Sequence, residues 1–336
     1  MTVALDEKDR QILLELDYNS RIPLTQLARR VRASKEVAHY RIKRLGKEGY
    51  IKKFYVILNT AKLGYYSFKV YFQFQDLSPK EERNMIAYLN RHPNVFWVAT
   101  SSGKFDLLIG VWAKDVIEFD SIMLGFMNKF SKYILAKETT ITKHNIQHNR
   151  NWFSEVEGRV KVSDVGGVAE AADIDETDRR ILLEIANNAR MPIAEIARRI
   201  GSSSTVVAYR LKKLEKSGVI LSFRLSPDLK KFEYEFFKAF IYFKNLNSKR
   251  LSDFIAYCNL HPNILNVVTC VGSWDIEVEF EVESTSKFHE IINEMRLSFS
   301  DIFKSYDSVL FKREYKVSFM PGSEETMGAV ESTYLY

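Results

Sequence analysis

Ser34, Lys35, His39, Arg41, Lys43, Arg44 and Lys47 fall within one stretch, ASKEVAHYRIKRLGKEGYIKKF, residues 33–54. A second stretch, SSSTVVAYRLKKLEKSGVILSF, residues 202–223, carries Ser203, Ser204, Thr205, Arg210, Lys212, Lys213 and Lys216, and 10 of the 22 aligned positions are identical. Guanidinium and ammonium groups at this density suit neutralisation of phosphates, and polar groups in the first helical turn can reach base edges. The same run also fits a solvated helix face. Val37, Ala38, Ile42 and Leu45, with Val206, Val207, Leu211 and Leu214 in the copy, recur at helical spacing and predict the buried stripe. The cations point away from that stripe, with Arg41 at its edge.

Other candidate groups are sparser. Asp275, Glu277, Glu279, Glu281 and Glu283 alternate with Ile276, Val278, Phe280 and Val282, which puts the acids on one face of a strand. That face either docks the first half of the chain or pairs with Lys238 and Lys244 within its own sheet. His144 and His148 are four apart but fall at the end of a predicted strand, and the copy has Arg313 and Val317 there, so no metal site is expected. There is no GxGxxG, Walker loop, HExxH or GxSxG sequence. Neither a cofactor nor enzymatic activity is implied.

The elements that must position these groups are duplicated at a constant offset of 169 residues. LDEKDRQILLELDYNSRIPLTQLARR (5–30) matches IDETDRRILLEIANNARMPIAEIARR (174–199) at 14 of 26 positions. His92-Pro93-Asn94 returns as His261-Pro262-Asn263, and Gly103-Lys-Phe-Asp106 as Gly272-Ser-Trp-Asp275. Each half opens with three helices. Asp6 and Asp175 cap the first, Pro23 and Pro192 open the second, Ser34 and Ser203 cap the third, and Gly49 and Gly218 end it. A tight turn before the third helix is the helix-turn-helix arrangement. A short strand follows, then the order βαββαβ, in which Tyr66, Phe68, Val70, Phe72 and Phe74 alternate with polar partners.

The predicted fold class is therefore α+β, with two tandem copies of a helix-turn-helix domain followed by a ferredoxin-like βαββαβ domain. The boundaries are 1–53 and 54–153, an exposed linker over 154–173, then 174–222 and 223–321, and a loosely held tail over 322–336. The net charge of +6 is uneven: +10 over 1–150, −3 over 151–173 and −1 over 174–336. The basic first half fits a polyanionic partner. No apolar run approaches the ~18 residues of a membrane span, and the N-terminal MTVALDEKDR is unlike a secretory leader. Cys258 and Cys270 have no CxxC spacing. A cytoplasmic location is the expectation.

With LDEKDRQILLEL, Arg21, Leu27-Ala28, Ser34, Val37, Arg41-Ile42, Arg44-Leu45, Gly49 and Gly103-x-x-Asp106 in hand, each half resembles the leucine-responsive regulator/AsnC (Lrp/AsnC) family over nearly its whole length. The resemblance implies binding of double-stranded operator DNA, tuned by an amino acid or similar metabolite, and self-association through the ferredoxin-like domains. It makes Gly103, Asp106, Gly272 and Asp275 ligand-site candidates. A second role fits the same residues: the glycines supplying only a positive φ, and the aspartates bonding only turn amides. Ordinary members are one unit and dimerise. Two units in one chain imply an intrachain pseudo-dimer or a homo-oligomer, with two non-identical reading helices for asymmetric half-sites. Siroheme decarboxylases resemble the same architecture. They keep a His-x-Tyr-Asn-x-Trp-Phe-like stretch where this chain has GKFDLL and GSWDIE, without the histidine and tyrosine.

Overall fold

The computed structural model describes residues 5–153 and 160–322. Half one contains α1 (Glu7–Tyr18), α2 (Leu24–Arg30), α3 (Lys35–Lys47), β1 (Ile51–Leu58), β2 (Tyr66–Phe74), α4 (Pro79–Arg91), β3 (Val95–Gly103), β4 (Leu107–Ala113), α5 (Val116–Phe130) and β5 (Ile134–His148). After β6 (Val162–Gly166), half two repeats the order as α6 (Glu176–Ala186), α7 (Ile193–Ile200), α8 (Ser204–Lys216), β7 (Ile220–Pro227), β8 (Glu235–Phe243), α9 (Ser248–Leu260), β9 (Ile264–Gly272), β10 (Ile276–Val282), α10 (Thr285–Ser298) and β11 (Phe303–Val317).

The helix starts follow local chemistry. Asp6 and Asp175 each close a capping box, with Asp9 and Asp178 returning the bond. Ser34 and Ser203 accept from the N–H groups of Val37 and Val206 at 3.2 Å. The second helices start directly after Pro23 and Pro192.

The two halves share their sheets. β1 and β7 form an antiparallel ribbon. The other strands run β2-β4-β3-β11-β8-β10-β9-β5-β6, and β5 also pairs with β2. That extra pairing closes an eight-stranded circuit from two four-stranded ferredoxin-like sheets. The 15-residue strands β5 and β11 make the junctions, each pairing with its own sheet over one part of its length and with the other half over the rest. Phe68, Val70 and Phe72 of β2 pack under α4 and α5, and Phe237, Ala239 and Ile241 of β8 pack under α9 and α10. The opposite faces meet in a third core built by both halves, with Tyr71, Trp97, Phe105, Phe240 and Trp274. The helical units are also joined. One continuous core runs from Ile12 and Leu45 through the β1–β7 ribbon to Ile181 and Leu214.

The stretch 154–173 is not simply an exposed linker. Its first six residues lie outside the described part, but β6 adds to the free edge of β5. Ser163 is buried against Ser222, with their hydroxyls 2.8 Å apart. Pairing the edge of β5 outweighs the flexibility that the small and acidic residues suggest. The expected tail lies beyond the described residues except for Gly322.

Candidate nucleic-acid interface

On α3 the buried stripe is Ala38, Ile42 and Leu45, and on α8 it is Val207, Leu211 and Leu214. Val37 and Val206 were expected in it but are 41% and 40% exposed. At 100° per residue each sits beside the stripe, on the outer face. Ser34, Lys35, His39, Lys43 and Lys47 are exposed, as are Ser203, Ser204, Thr205, Lys212 and Lys213. These ten sequence-identified residues lie on the outer faces of the two helices or at their N-caps.

Three others do not. Arg41 donates to Asp6 and, at 2.8 Å, to the fully buried Asp9. Arg44 donates to Asp9 as well, and Arg210 donates to Asp175 and Asp178. The sequence places these arginines among the DNA contacts; in the structure they fasten α3 and α8 to the first turns of α1 and α6, because a desolvated carboxylate at a helix start needs a cation. The pairing raises the pKa of Arg41 through its bonds to Asp6 and Asp9, and that of Arg210 chiefly through its bond to Asp175.

A reciprocal contact joins the helical units. Arg21 donates to the carbonyls of Ala189 (2.6 Å) and Met191 (3.2 Å). Arg190, its copy, donates to the carbonyl of Ser20. Each guanidinium lies 5.5 Å from the ring centroid of Phe223 or Phe54. Burial pulls both pKa values down, that of Arg190 to about 10. With the β1–β7 ribbon, this clasp fixes α3 relative to α8.

The Gly-x-x-Asp turns are occupied structurally. Asp106 accepts from the Phe74 N–H at 2.8 Å, and Asp275 from the Phe243 N–H at 2.7 Å. A Cβ on Gly103 would lie 2.4 Å from the Ser308 carbonyl oxygen, and one on Gly272 2.6 Å from that of Thr139. Both glycines therefore let the long strand of the other half approach. Of the two roles left open by the sequence, the geometry displays the turn role.

The acidic face of β10 meets both halves. Glu277 is fully buried and accepts from Lys69 (2.8 Å) and Tyr71 of half one and from Lys238 (2.9 Å) of half two. Burial opposes its ionisation, but Lys238 and Lys69 outweigh burial and hold it well below the usual carboxylate range. Lys238 also pairs with Glu279 at 3.0 Å. Arg150 forks onto Glu281 at 2.9–3.1 Å and reaches Asp17 of α1 at 3.0 Å, while the Trp152 indole donates to Glu281. Both sequence alternatives are thus realised through Lys238, Lys69 and Arg150. Lys244 has no carboxylate partner among the described residues. His144 contacts Asp164 and His148 contacts Asn259. No cluster of three metal-ligating side chains occurs among the described residues.

Two outward-facing cationic helices, each opening on a serine cap and carried on a two-fold ribbon, define a duplicated helix-turn-helix protein on a ferredoxin-like base. Comparison with known proteins agrees. A winged helix-turn-helix DNA-binding family model matches residues 5–52 and 174–220. An HTH-type transcriptional regulator of Pyrococcus horikoshii is 32% identical over 139 residues, 41% of this chain and 86% of that protein. The HTH-type transcriptional regulator AldR of Mycolicibacterium smegmatis is 28% identical over 42% of this chain and 82% of its own length. The chain belongs to the Lrp/AsnC family of helix-turn-helix transcriptional regulators, in a tandem form. The siroheme decarboxylase NirDL shares the fold over 93% of each chain, with a TM-score of 0.61 and 13% identity.

Proposed function

We propose that this regulator binds double-stranded DNA as an intrachain pseudo-dimer that reads two unequal half-sites, and that a metabolite of the amino-acid class tunes the binding. The observation that supports it best is the pairing of the two helical units by the β1–β7 ribbon and the Arg21/Arg190 clasp. This gives one chain the two-fold arrangement that a palindrome-like operator needs. Lys35, His39, Lys43 and Lys47, with Lys212 and Lys213, supply phosphate or base contacts. Ser34, Ser203, Ser204 and Thr205 lie where the helix N-terminus meets the groove. Arg41, Arg44 and Arg210 hold the helices in place.

Asymmetry follows from the residues that differ between copies: Lys35-Glu36 against Ser204-Thr205, and His39 against Ala208. The effector assignment rests on the family resemblance. Its candidate residues are Gly103, Asp106, Gly272 and Asp275, at the turns where each half meets the long strand of the other. The fold likeness to a siroheme decarboxylase offers a tetrapyrrole alternative. Against it, the space between the sheets is filled by the Tyr71–Trp97–Phe240–Trp274 cluster and the Glu277 ion pairs. Added tetrapyrrole should leave the visible absorbance of the protein mixture a simple sum.

Fluorescence anisotropy with genomic promoter fragments against random-sequence competitor tests the reading, with each amino acid then added in turn. Retained binding of some fragments under excess competitor supports it. Equal displacement of every fragment contradicts sequence specificity, and an unchanged affinity with all amino acids contradicts the effector assignment.

A further inference from the structure

The two reading helices differ in charge but agree in one exposed apolar feature. Tyr40 and Tyr209 are both 67% exposed, and Val37 and Val206 lie beside them at nearly matched exposure. The members of each pair are three residues apart on a helix, so their side chains are neighbours. Among the described residues, no hydrogen bond, ion pair or ring contact involves either tyrosine side chain. Each helix thus carries a small apolar surface amid its cations, repeated at the same two positions in both copies.

The surrounding charge selects the occupant. Lys43 and Lys47 follow Tyr40 by three and seven residues, and Lys212, Lys213 and Lys216 follow Tyr209 by three, four and seven, all of them exposed and on the same side of their helix as the tyrosine. A second copy of the chain would bring like charges together, whereas a polyanion would not. In a DNA major groove, the only apolar group on a base edge is the C5-methyl of thymine. Both pairs lie in the first two turns after the serine caps, the part of a reading helix that approaches base edges.

We infer that Val37–Tyr40 and Val206–Tyr209 are one duplicated apolar reader for a thymine methyl common to both half-sites, with Lys35, Glu36 and His39 against Ser204, Thr205 and Ala208 setting the flanks that differ. The inference rests on the DNA-binding reading above. It specifies an operator whose half-sites share a thymine and diverge around it.

The test replaces single thymines of a selected operator by deoxyuridine, which removes only the methyl group. Wild-type affinity should fall about fourfold for the contacted thymine in either half-site, the worth of one buried methyl. The Val37→Ser/Tyr40→Ala variant should lose this discrimination in one half-site only, and Val206→Ser/Tyr209→Ala in the other. Tyr40→Phe should keep it. All four side chains are exposed, so the variants leave the helical core intact, which circular dichroism checks. Equal wild-type binding of thymine and uracil duplexes overturns the inference, as does discrimination that survives in both double variants. If wild type selects no operator at all, the regulator reading fails, and the inference with it.

Discussion

Tyr55 and Arg224 face each other across the β1–β7 ribbon, and each is the other's copy, 169 residues along the chain. The pseudo-two-fold axis therefore passes between them. Yet Tyr55 stacks on Phe319 with ring centroids 4.2 Å apart, while Arg224, 1% exposed, donates to the Asp17 carbonyl at 3.0 Å. The difference extends outward. Asp17, Arg150 and Glu281 form a buried ionic chain, and their copies are Ala186, Phe319 and Trp112. Backbone symmetry is kept, and the chemistry has been divided between the halves.

That division makes the halves non-interchangeable. Glu281→Leu leaves Arg150 with Asp17 as its one carboxylate partner and should cost about 3–5 kcal/mol. Adding Arg150→Phe removes both ends of the Arg150–Glu281 pair and leaves Asp17 to Arg224 at 3.5 Å, so it should recover much of the loss. Urea unfolding of both variants measures this. Equal destabilisation by the single and double changes would show that packing, and not the unpaired charge, sets the cost.

The reading face and the fastening arginines separate by phenotype. Lys43→Ala should lower the salt dependence of DNA binding by about one phosphate contact and change stability by less than about 0.5 kcal/mol. Arg41→Ala deprives the buried Asp9 of one partner and should cost roughly 1–3 kcal/mol of stability. Salt titrations and urea midpoints on the same two proteins distinguish these outcomes.

The clasp is expected to act on spacing. Arg21→Ala/Arg190→Ala leaves both reading helices unchanged, so affinity for an isolated half-site should hold. Inserting about five base pairs, half a DNA turn, between half-sites should impair wild type more than the variant. An identical penalty for both proteins would mean that the β1–β7 ribbon alone sets the spacing.

Acid sensitivity has a defined origin. His92 and His261 accept the N–H of Asn94 and Asn263 on Nδ1 at 3.2 Å, so protonation opposes the fold. Burial lowers both pKa values, that of His261 to about 4 from an ordinary 6.5. The unfolded chain therefore takes up protons first as pH falls. This contribution to stability is complete above pH ~6.5 and is lost on going down towards the folded value. Unfolding free energies at several pH values should fall across that window, with a shallower slope in His92→Gln/His261→Gln. An unchanged slope would place the sensitivity elsewhere.

Much of this was legible because duplication repeats every signal. The constant offset carried the domain order, and period-two alternation in residues 66–75 carried the sheet. Other features depend on partners distant in sequence. Arg41 looks like a surface cation until Asp9, 32 residues earlier, is seen beneath it. The acids of β10 could not be assigned because Lys69 and Lys238 are copies of each other that converge on Glu277 from opposite halves. Strand β6 is hidden in a small-residue, acidic stretch, since an edge pairing needs backbone more than side chains. Val37 and Val206 directly precede the buried Ala38 and Val207, and the 100° step between neighbours turns them out of the stripe.

Selection of bound sequences from a random DNA pool, at about 50 and about 200 mM salt, tests most directly whether one chain carries two unequal half-site readers. The expected result is a bipartite motif with unequal halves that survives the higher salt. A perfectly symmetric motif, a lone half-site, or retention without enrichment that vanishes with salt would contradict it.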